Sequence, residues 1–366
     1  MTKIIEKKGI GIIGYGGFGE FIHQAWNKMD NAHVTAICDS ILERNPKSDA
    51  EFYLNIDDFL YDKNVDIVSI ATPPSTHVEL AIKCMEAGKH VLIEKPLAFY
   101  EKDAIKVIET SEKTKRAASV NFVLRYNPIV DTLKEIINSE VLGKLRRIDL
   151  RNYATSDSLP KPHWFWNPNL SGRILIEHGV HFFDMAYNLI GSKAKDVFSF
   201  GIDREEGMED KVFAAVVYEN NIAGTFWHSF SRPRQLETTT FHFAFDLGEL
   251  EMVGWIPLEL SLWGWVGEDG YEKLKSIPEI ELMEKRTQSR DVLSSGITYK
   301  VDYDIDAKLV LIENKSEVYA ESLRQIMGDL IKKIEDPNHK MKITLEDALE
   351  SVRISERATR FTHPDF

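Results

Sequence analysis

A chain of 366 residues, 43% of them hydrophobic, has enough apolar material for two separate cores, and its formal net charge of −13 makes it a poor partner for polyanions. Nucleic acid and anionic membrane are set aside as partners on that ground, and no apolar stretch approaches the length of a membrane span. Two cysteines, Cys38 and Cys84, lie in apolar runs and read as buried thiols in a reducing cytoplasm; the opening Met1 to Glu6 has no signal-peptide plan.

In chain order, an apolar run over 10–13 predicts a strand, and Gly14-Tyr15-Gly16-Gly17-Phe18-Gly19 follows it. A helix is predicted over 21–29 and a second strand over 34–38, ending in Asp39, 20 residues beyond Gly19. A lone G-x-G-x-x-G is a weak signal. Here strand, helix and acid accompany it, which is what a dinucleotide site requires. Gly14 permits the tight turn, Gly16 lets amides approach a pyrophosphate, and Gly19 lets the helix lie close to the sheet. Asp39 would accept hydrogen bonds from a ribose diol and repel a 2′-phosphate, favouring NAD. Arg44, five residues on, leaves NADP open.

A short helix is predicted over 56–60 and a strand over 65–71, near-continuously apolar as in a parallel sheet buried on both faces. It runs into Thr72-Pro73-Pro74-Ser75-Thr76-His77, polar residues at the strand edge where α/β sheets bind ligands. A helix over 78–87 with Gly88 as its stop, a strand over 90–93 and the tripeptide Glu94-Lys95-Pro96 come next, then a helix over 100–113 and a strand over 117–122. The alternation predicts a doubly wound parallel sheet. Lys95 leaves its strand at the carboxyl edge. It reads equally as a group facing the ligand crevice, where a nicotinamide cation would make it a better proton acceptor, and as a solvated loop lysine.

The pattern changes near residue 125, which divides the chain into a dinucleotide-binding domain, 1–124, and an α+β domain, 125–366, for substrate and oligomer contacts. A helix over 129–137 precedes predicted strands over 145–153, 197–202, 212–218, 223–230 and 238–245, several alternating apolar and polar residues. Phe241, Phe243 and Phe245 share one face, as do Phe226, His228 and Phe230; a core face and a subunit interface both fit. The segment 264–297 reads as a long excursion between strands, and helices are predicted over 317–334 and 345–359.

One predicted helix carries chemistry, over 174–184. Glu177, His181 and Asp184 are spaced four and three apart and so share a face. A carboxylate four residues from an imidazole can orient the ring and raise its basicity, a proton-handling pair. His178 stands to one side. The order Glu-His-x-x-His is not the His-Glu-x-x-His of a metal helix, and no metal is assigned.

Four motifs together, the 14–19 loop, Ala71-Thr72-Pro73 with His77, Glu94-Lys95-Pro96, and the Gly172 to Asp184 helix with its Gly179-x-His181-x-x-Asp184, resemble the Gfo/Idh/MocA oxidoreductases over essentially the full length. The resemblance implies a Rossmann domain followed by an open-faced mixed sheet domain that pairs copies into homodimers or homotetramers. It implies that Lys95 and His181, with Glu177, carry proton transfer during reversible oxidation of a sugar or cyclitol hydroxyl. It places Gly14, Tyr15, Gly16, Gly17, Phe18, Gly19 and Asp39 on the dinucleotide. Ala71, Thr72, Pro73, His77, Glu94, Lys95, Asn121 and Trp164 fall on its nicotinamide side, and Arg125, Trp166, His178 and Asp184 on the substrate.

The chain departs from the family in having Glu177 where Asp is common, Arg173 after Ser171-Gly172 at a glycine-rich entry, and His178 at an often apolar position. The leading reading is an NAD-dependent dehydrogenase, with NADP open. The alternatives are a glycoside-cleaving enzyme with a transient redox step on tightly held NAD, and a non-catalytic sensor of dinucleotide and sugar.

Overall fold

The computed structural model describes residues 7–366 in two compact units. Residues 1–6, on which the signal-peptide reading fell, lie outside the described residues.

The first unit holds the described residues up to Tyr126, with Trp164–Asp184 and Tyr319–Glu356. Its sheet is parallel throughout: β1 (Lys8–Ile13), β2 (Ala32–Cys38), β3 (Glu51–Tyr53), β4 (Ile67–Ile70), β5 (His90–Ile93) and β6 (Ala118–Val120), in spatial order β3-β2-β1-β4-β5-β6. The central β4 is buried at every residue, because crossover helices cover both sheet faces. Those helices are α1 (Gly17–Trp26), α2 (Ile56–Tyr61), α3 (His77–Glu86) and α4 (Glu101–Thr114). Asn55 caps α2 by accepting the Asp57 amide at 2.7 Å, and α4 ends on Lys115 in the left-handed conformation.

The second unit holds Asn127–His163, Met185–Val318 and Arg357–Phe366. It begins with α5 (Pro128–Ser139), which has Pro128 in its first turn and Asn127 accepting the Ile129 amide at 2.9 Å, a regular helix start. The sheet strands are β7 (Leu145–Tyr153), β8 (Ala194–Glu205), β9 (Met208–Tyr218), β10 (Ala223–Ser229), β11 (Thr238–Phe245), β12 (Gly248–Val253), β13 (Glu259–Val266), β14 (Glu281–Ser294) and β15 (Ile297–Val310). Their order is β14-β15-β13-β12-β11-β7-β10-β9-β8; β7 and β10 run parallel and the other neighbours antiparallel, so the sheet is mixed.

The remaining helices are two four-residue turns, α6 (Pro168–Ser171) and α7 (Ile174–Glu177), then α8 (Gly179–Ile190), α9 (Glu268–Lys275), α10 (Lys315–Glu335) and α11 (Leu345–Thr362). None of the described helices is long and apolar enough to cross a membrane.

Phe226, Phe241 and Phe243 have no exposed surface, so the aromatic set left open between core and interface belongs to the core. Removing one such ring costs about 3–5 kcal/mol. Uncovered aromatic side chains on the same sheet include Phe198 and Phe200 on β8 and Trp263 and Trp265 on β13. The predicted excursion over 264–297 is the end of β13, then α9, then β14, which returns antiparallel on β15.

Candidate active site

The glycine turn is built as its spacing requires. Gly14 has φ +91°, and a side chain there would come within 2.7 Å of the Ala71 carbonyl oxygen; one at Gly19 would lie 2.3 Å from the Gly14 carbonyl oxygen. Side chains at Gly16 and Gly17 would meet nothing within 4 Å, so the outer side of the turn is an open cradle. The first amides of α1 face outward from a helix start that has no side-chain cap, which is the donor set a pyrophosphate takes.

Asp39 is only 5% exposed and does more than end β2. Its carboxylate accepts the Tyr15 amide at 2.7 Å and the Ile41 amide at 2.9 Å, and it pairs with Arg44 at 3.0 Å. The acid thereby fixes the glycine turn, and Arg44 stands over it. The Tyr15 hydroxyl meets His23 Nδ1 at 2.6 Å, tying the turn to α1.

At the carboxyl edge of β4 and β5, Ala71, Thr72 and Pro73 face the turn of Lys95 and Pro96, whose peptide bond is cis. His77 has no exposed surface. Its Nδ1 lies 2.7 Å from the Pro96 carbonyl and its Nε2 3.0 Å from the Thr72 carbonyl, so it staples the two loops together. Burial holds its ring below the usual imidazole range, with the two carbonyls opposing that shift. Both ring nitrogens thus face main-chain carbonyls of the two loops.

Glu94 accepts a hydrogen bond from Asn121 Nδ2, and burial pushes its carboxyl up to about 7. The Asn121 Oδ1 is buried with no hydrogen-bond partner among the described residues. It is an acceptor waiting for a donor, and the carboxamide of a nicotinamide is one. Open cradle and orphaned acceptor both fit a nicotinamide dinucleotide.

Sequence reasoning passed over Tyr319, on α10. Its ring lies 5.1 Å from Phe21 and 6.4 Å from Phe18, and its hydroxyl is raised well above the ordinary phenol range by burial and then by Glu94. No local pattern marks it: it reaches the turn from 300 residues downstream.

The groups expected to carry the chemistry collect around one ion pair. Lys95 Nζ donates to Glu177 Oε1 at 2.5 Å and to the Glu177 carbonyl oxygen at 2.7 Å, and the two side chains are 13% and 11% exposed. The helix predicted over 174–184 is broken. It ends at Glu177, restarts at Gly179, and His178 between them has φ −108°. The His181 amide turns to the His178 carbonyl at 3.3 Å, and the Glu177 carbonyl accepts from Lys95. Glu177 was expected to orient His181 on a continuous helix face; in the structure its carboxylate holds Lys95.

His181 is 6% exposed, with Phe122 and Phe182 edge-on at 6.5 and 6.3 Å. Burial, then the charge of Lys95, then His178 take its ring well below the ordinary range, and His178 falls to about 3 through burial and Lys95. Both imidazoles are therefore neutral near pH 7 and sit within reach of the Lys95 charge.

Arg125 and Asp184, expected on the substrate, are engaged with each other. The guanidinium makes two bonds of 2.8 Å to the carboxylate, Ser351 Oγ adds one of 3.2 Å, and the pair is 3% and 0% exposed. Each is spent on the other, and the pair ties the middle of α8 to Arg125. Trp164 and Trp166 lie half-buried on a single tight turn, with Phe165 packed 4.8 Å from Trp166. No group of three or more metal-ligating side chains occurs among the described residues.

Comparison with known proteins agrees with this arrangement. Residues 8–122 match the model of an oxidoreductase family with an NAD-binding Rossmann fold, and residues 130–251 the GFO/IDH/MocA C-terminal domain. A myo-inositol 2-dehydrogenase of Thermotoga maritima is 31% identical over 216 residues, 57% of this chain and 63% of that protein. An inositol 2-dehydrogenase/D-chiro-inositol 3-dehydrogenase of Lactiplantibacillus plantarum is 28% identical over 52% of this chain and 55% of its own. The chain thus spans less than two thirds of the curated relatives it matches. Among solved structures, an aldose-aldose oxidoreductase from Caulobacter crescentus superposes with a TM-score of 0.73 over 99% of both chains at 17% identity, a likeness of fold.

Proposed function

The chain belongs to the Gfo/Idh/MocA oxidoreductase family, and on that premise we propose that it is an NAD-dependent dehydrogenase that reversibly oxidises a hydroxyl of a sugar, sugar derivative or cyclitol. A bound nicotinamide would supply the hydride acceptor. Gly16 and Gly17 would leave room for the diphosphate, Asp39 would accept the ribose diol, and Asn121 Oδ1 would accept from the carboxamide. Arg44 already neutralises Asp39, which leaves NADP as a second cofactor to test.

The observation that carries the reading is the Lys95–Glu177 pair beside two neutral imidazoles. Neutral His181 would accept the hydroxyl proton, because a ring already protonated could not. The Lys95 ammonium would donate to the same oxygen and stabilise the alkoxide character that develops there. Glu177 would hold that ammonium in place. Two relatives named for inositol support a polyhydroxylated ring as substrate. Pairing of copies through the uncovered side of the nine-stranded sheet, into a dimer or tetramer, and a reducing cytoplasmic setting for the free Cys38 and Cys84 belong to the same reading.

The test is a screen of cyclitols, hexoses, sugar acids and aminosugars with NAD and NADP in parallel, followed by absorbance of the reduced cofactor. Reduced cofactor accumulating with one substrate class supports the proposal. Tight NAD binding with no reduction on any of them, at any pH, refutes it.

A further inference from the structure

We propose that the first unit carries a second ligand site, for a small organic polyanion, at the amino-terminal edge of its parallel sheet. A cavity of about 640 Å³ opens there, lined by His90 at the start of β5, Ala118 at the start of β6, the end of α4 and the segment joining α10 to α11. The glycine turn and Lys95 lie at the opposite, carboxyl edge of the same strands, so the cavity is separate from the site described above.

Charge points to the ligand. In a chain of net charge −13, the cavity is lined by Lys115, Arg116, Lys333 and Lys340 against two carboxylates, Glu112 and Glu346. These cations come from two stretches more than 200 residues apart that the fold brings to one place. Lys333 is committed to the wall: its ammonium donates to the Pro337 and His339 carbonyls at 2.6 and 3.0 Å. The other three cations have no ion-pair partner among the described residues. Lys115 also occupies a backbone position with φ +56°, where glycine is the unstrained choice. Three cations without ion-pair partners around one cavity are the complement an anionic ligand would take.

The floor adds a neutral donor. His90 Nδ1 accepts the Ala117 amide at 2.9 Å, which puts the ring proton on Nε2, and burial followed by the Arg116 charge keeps the ring neutral down to about pH 4. The charged and acidic groups that face this ring are Arg116, Asp66 and Lys8. Ile108, Met341 and Leu345 supply apolar wall. A cavity of this size takes a molecule of metabolite dimensions, and this lining suits a phosphate monoester or a polycarboxylate with a compact carbon body.

The test uses the full chain saturated with NAD, so that the glycine turn is occupied. Inorganic phosphate, citrate and glucose 6-phosphate are titrated calorimetrically at matched ionic strength. Saturable binding of at least one, weakened about tenfold or more in Lys115→Gln/Lys340→Gln, is the expected result. The variant's urea midpoint without ligand shows that it folds; should it not, the single variant Lys340→Gln, at an exposed loop position, repeats the comparison. The proposal is overturned when none of the three binds beyond what sodium chloride reproduces, or when binding survives the substitutions unchanged. Lys95→Ala is expected to keep the anion affinity, so loss of turnover and loss of this site are separate outcomes.

Discussion

Two buried ion pairs lie close in sequence and differ in what their surroundings allow. Arg125–Asp184 is sealed, 3% and 0% exposed, with every polar atom of the carboxylate taken. Lys95–Glu177 keeps 13% and 11% of its side-chain surface and is flanked by neutral imidazoles. The same chemistry, a cation on a carboxylate, is closed off in one place and, on the function proposed above, is a poised donor in the other. The two pairs differ in exposure by about a tenth of a side chain, which leaves the Lys95 nitrogen the more accessible of the two cations.

That contrast can be broken by experiment. Lys95→Ala should lower turnover about 10²- to 10⁴-fold while NAD affinity changes little. It should cost less stability than the matching change in the other pair, because Glu177 keeps contact with water; a wild-type rate of hydride transfer in this variant removes Lys95 from the chemistry. Arg125→Ala should cost about 3–5 kcal/mol in urea unfolding, since it strands a carboxylate with no surface. An unchanged midpoint would mean that the sealed pair anchors nothing.

Glu94 sharpens the comparison through pH. Burial lifts its carboxyl from 4.5 to about 7. Between those values the folded chain keeps a proton that the unfolded chain has released, so stability falls as pH rises through the window. Glu94→Gln should remove that slope, worth about 1–3 kcal/mol between about pH 5 and about pH 7.5. Parallel pH profiles for variant and wild type would show that Glu94 titrates normally. The smallest effect is expected for Glu177→Gln, about tenfold in turnover, because one of the two acceptors of Lys95 survives. A loss as large as that of Lys95→Ala would instead make the carboxylate itself a proton carrier.

The first unit was the more legible from sequence. Strands such as β4 and β5 are short apolar runs closed by glycine, proline or charge, and the turn after β1 advertises its own geometry. In the second unit, β11 was legible because Phe241, Phe243 and Phe245 alternate with His242 and Ala244 over one covered face. β14 was not: it is exposed along most of its length, so no alternation develops, and it read as an excursion. At the site, residue types were legible and pairings were not. Glu177, His181 and Asp184 have ideal helical spacing, and only Gly179 hinted that the helix stops. Lys95 and Arg125, each more than 50 residues away, then claim Glu177, which the spacing had assigned to the histidine, and Asp184, which the resemblance had placed on the substrate. Tyr319 carries no sequence signal because its proximity to the glycine turn is purely tertiary.

The interruption at His178 has an evolutionary corollary. One of the two oxygens gripping the Lys95 ammonium is main chain, exposed by the missing helical bond rather than supplied by any side chain. Point substitution cannot delete it. A substitution at 177 therefore takes away one grip on the lysine and leaves the other, so the site can lose part of its rate there without losing its aim.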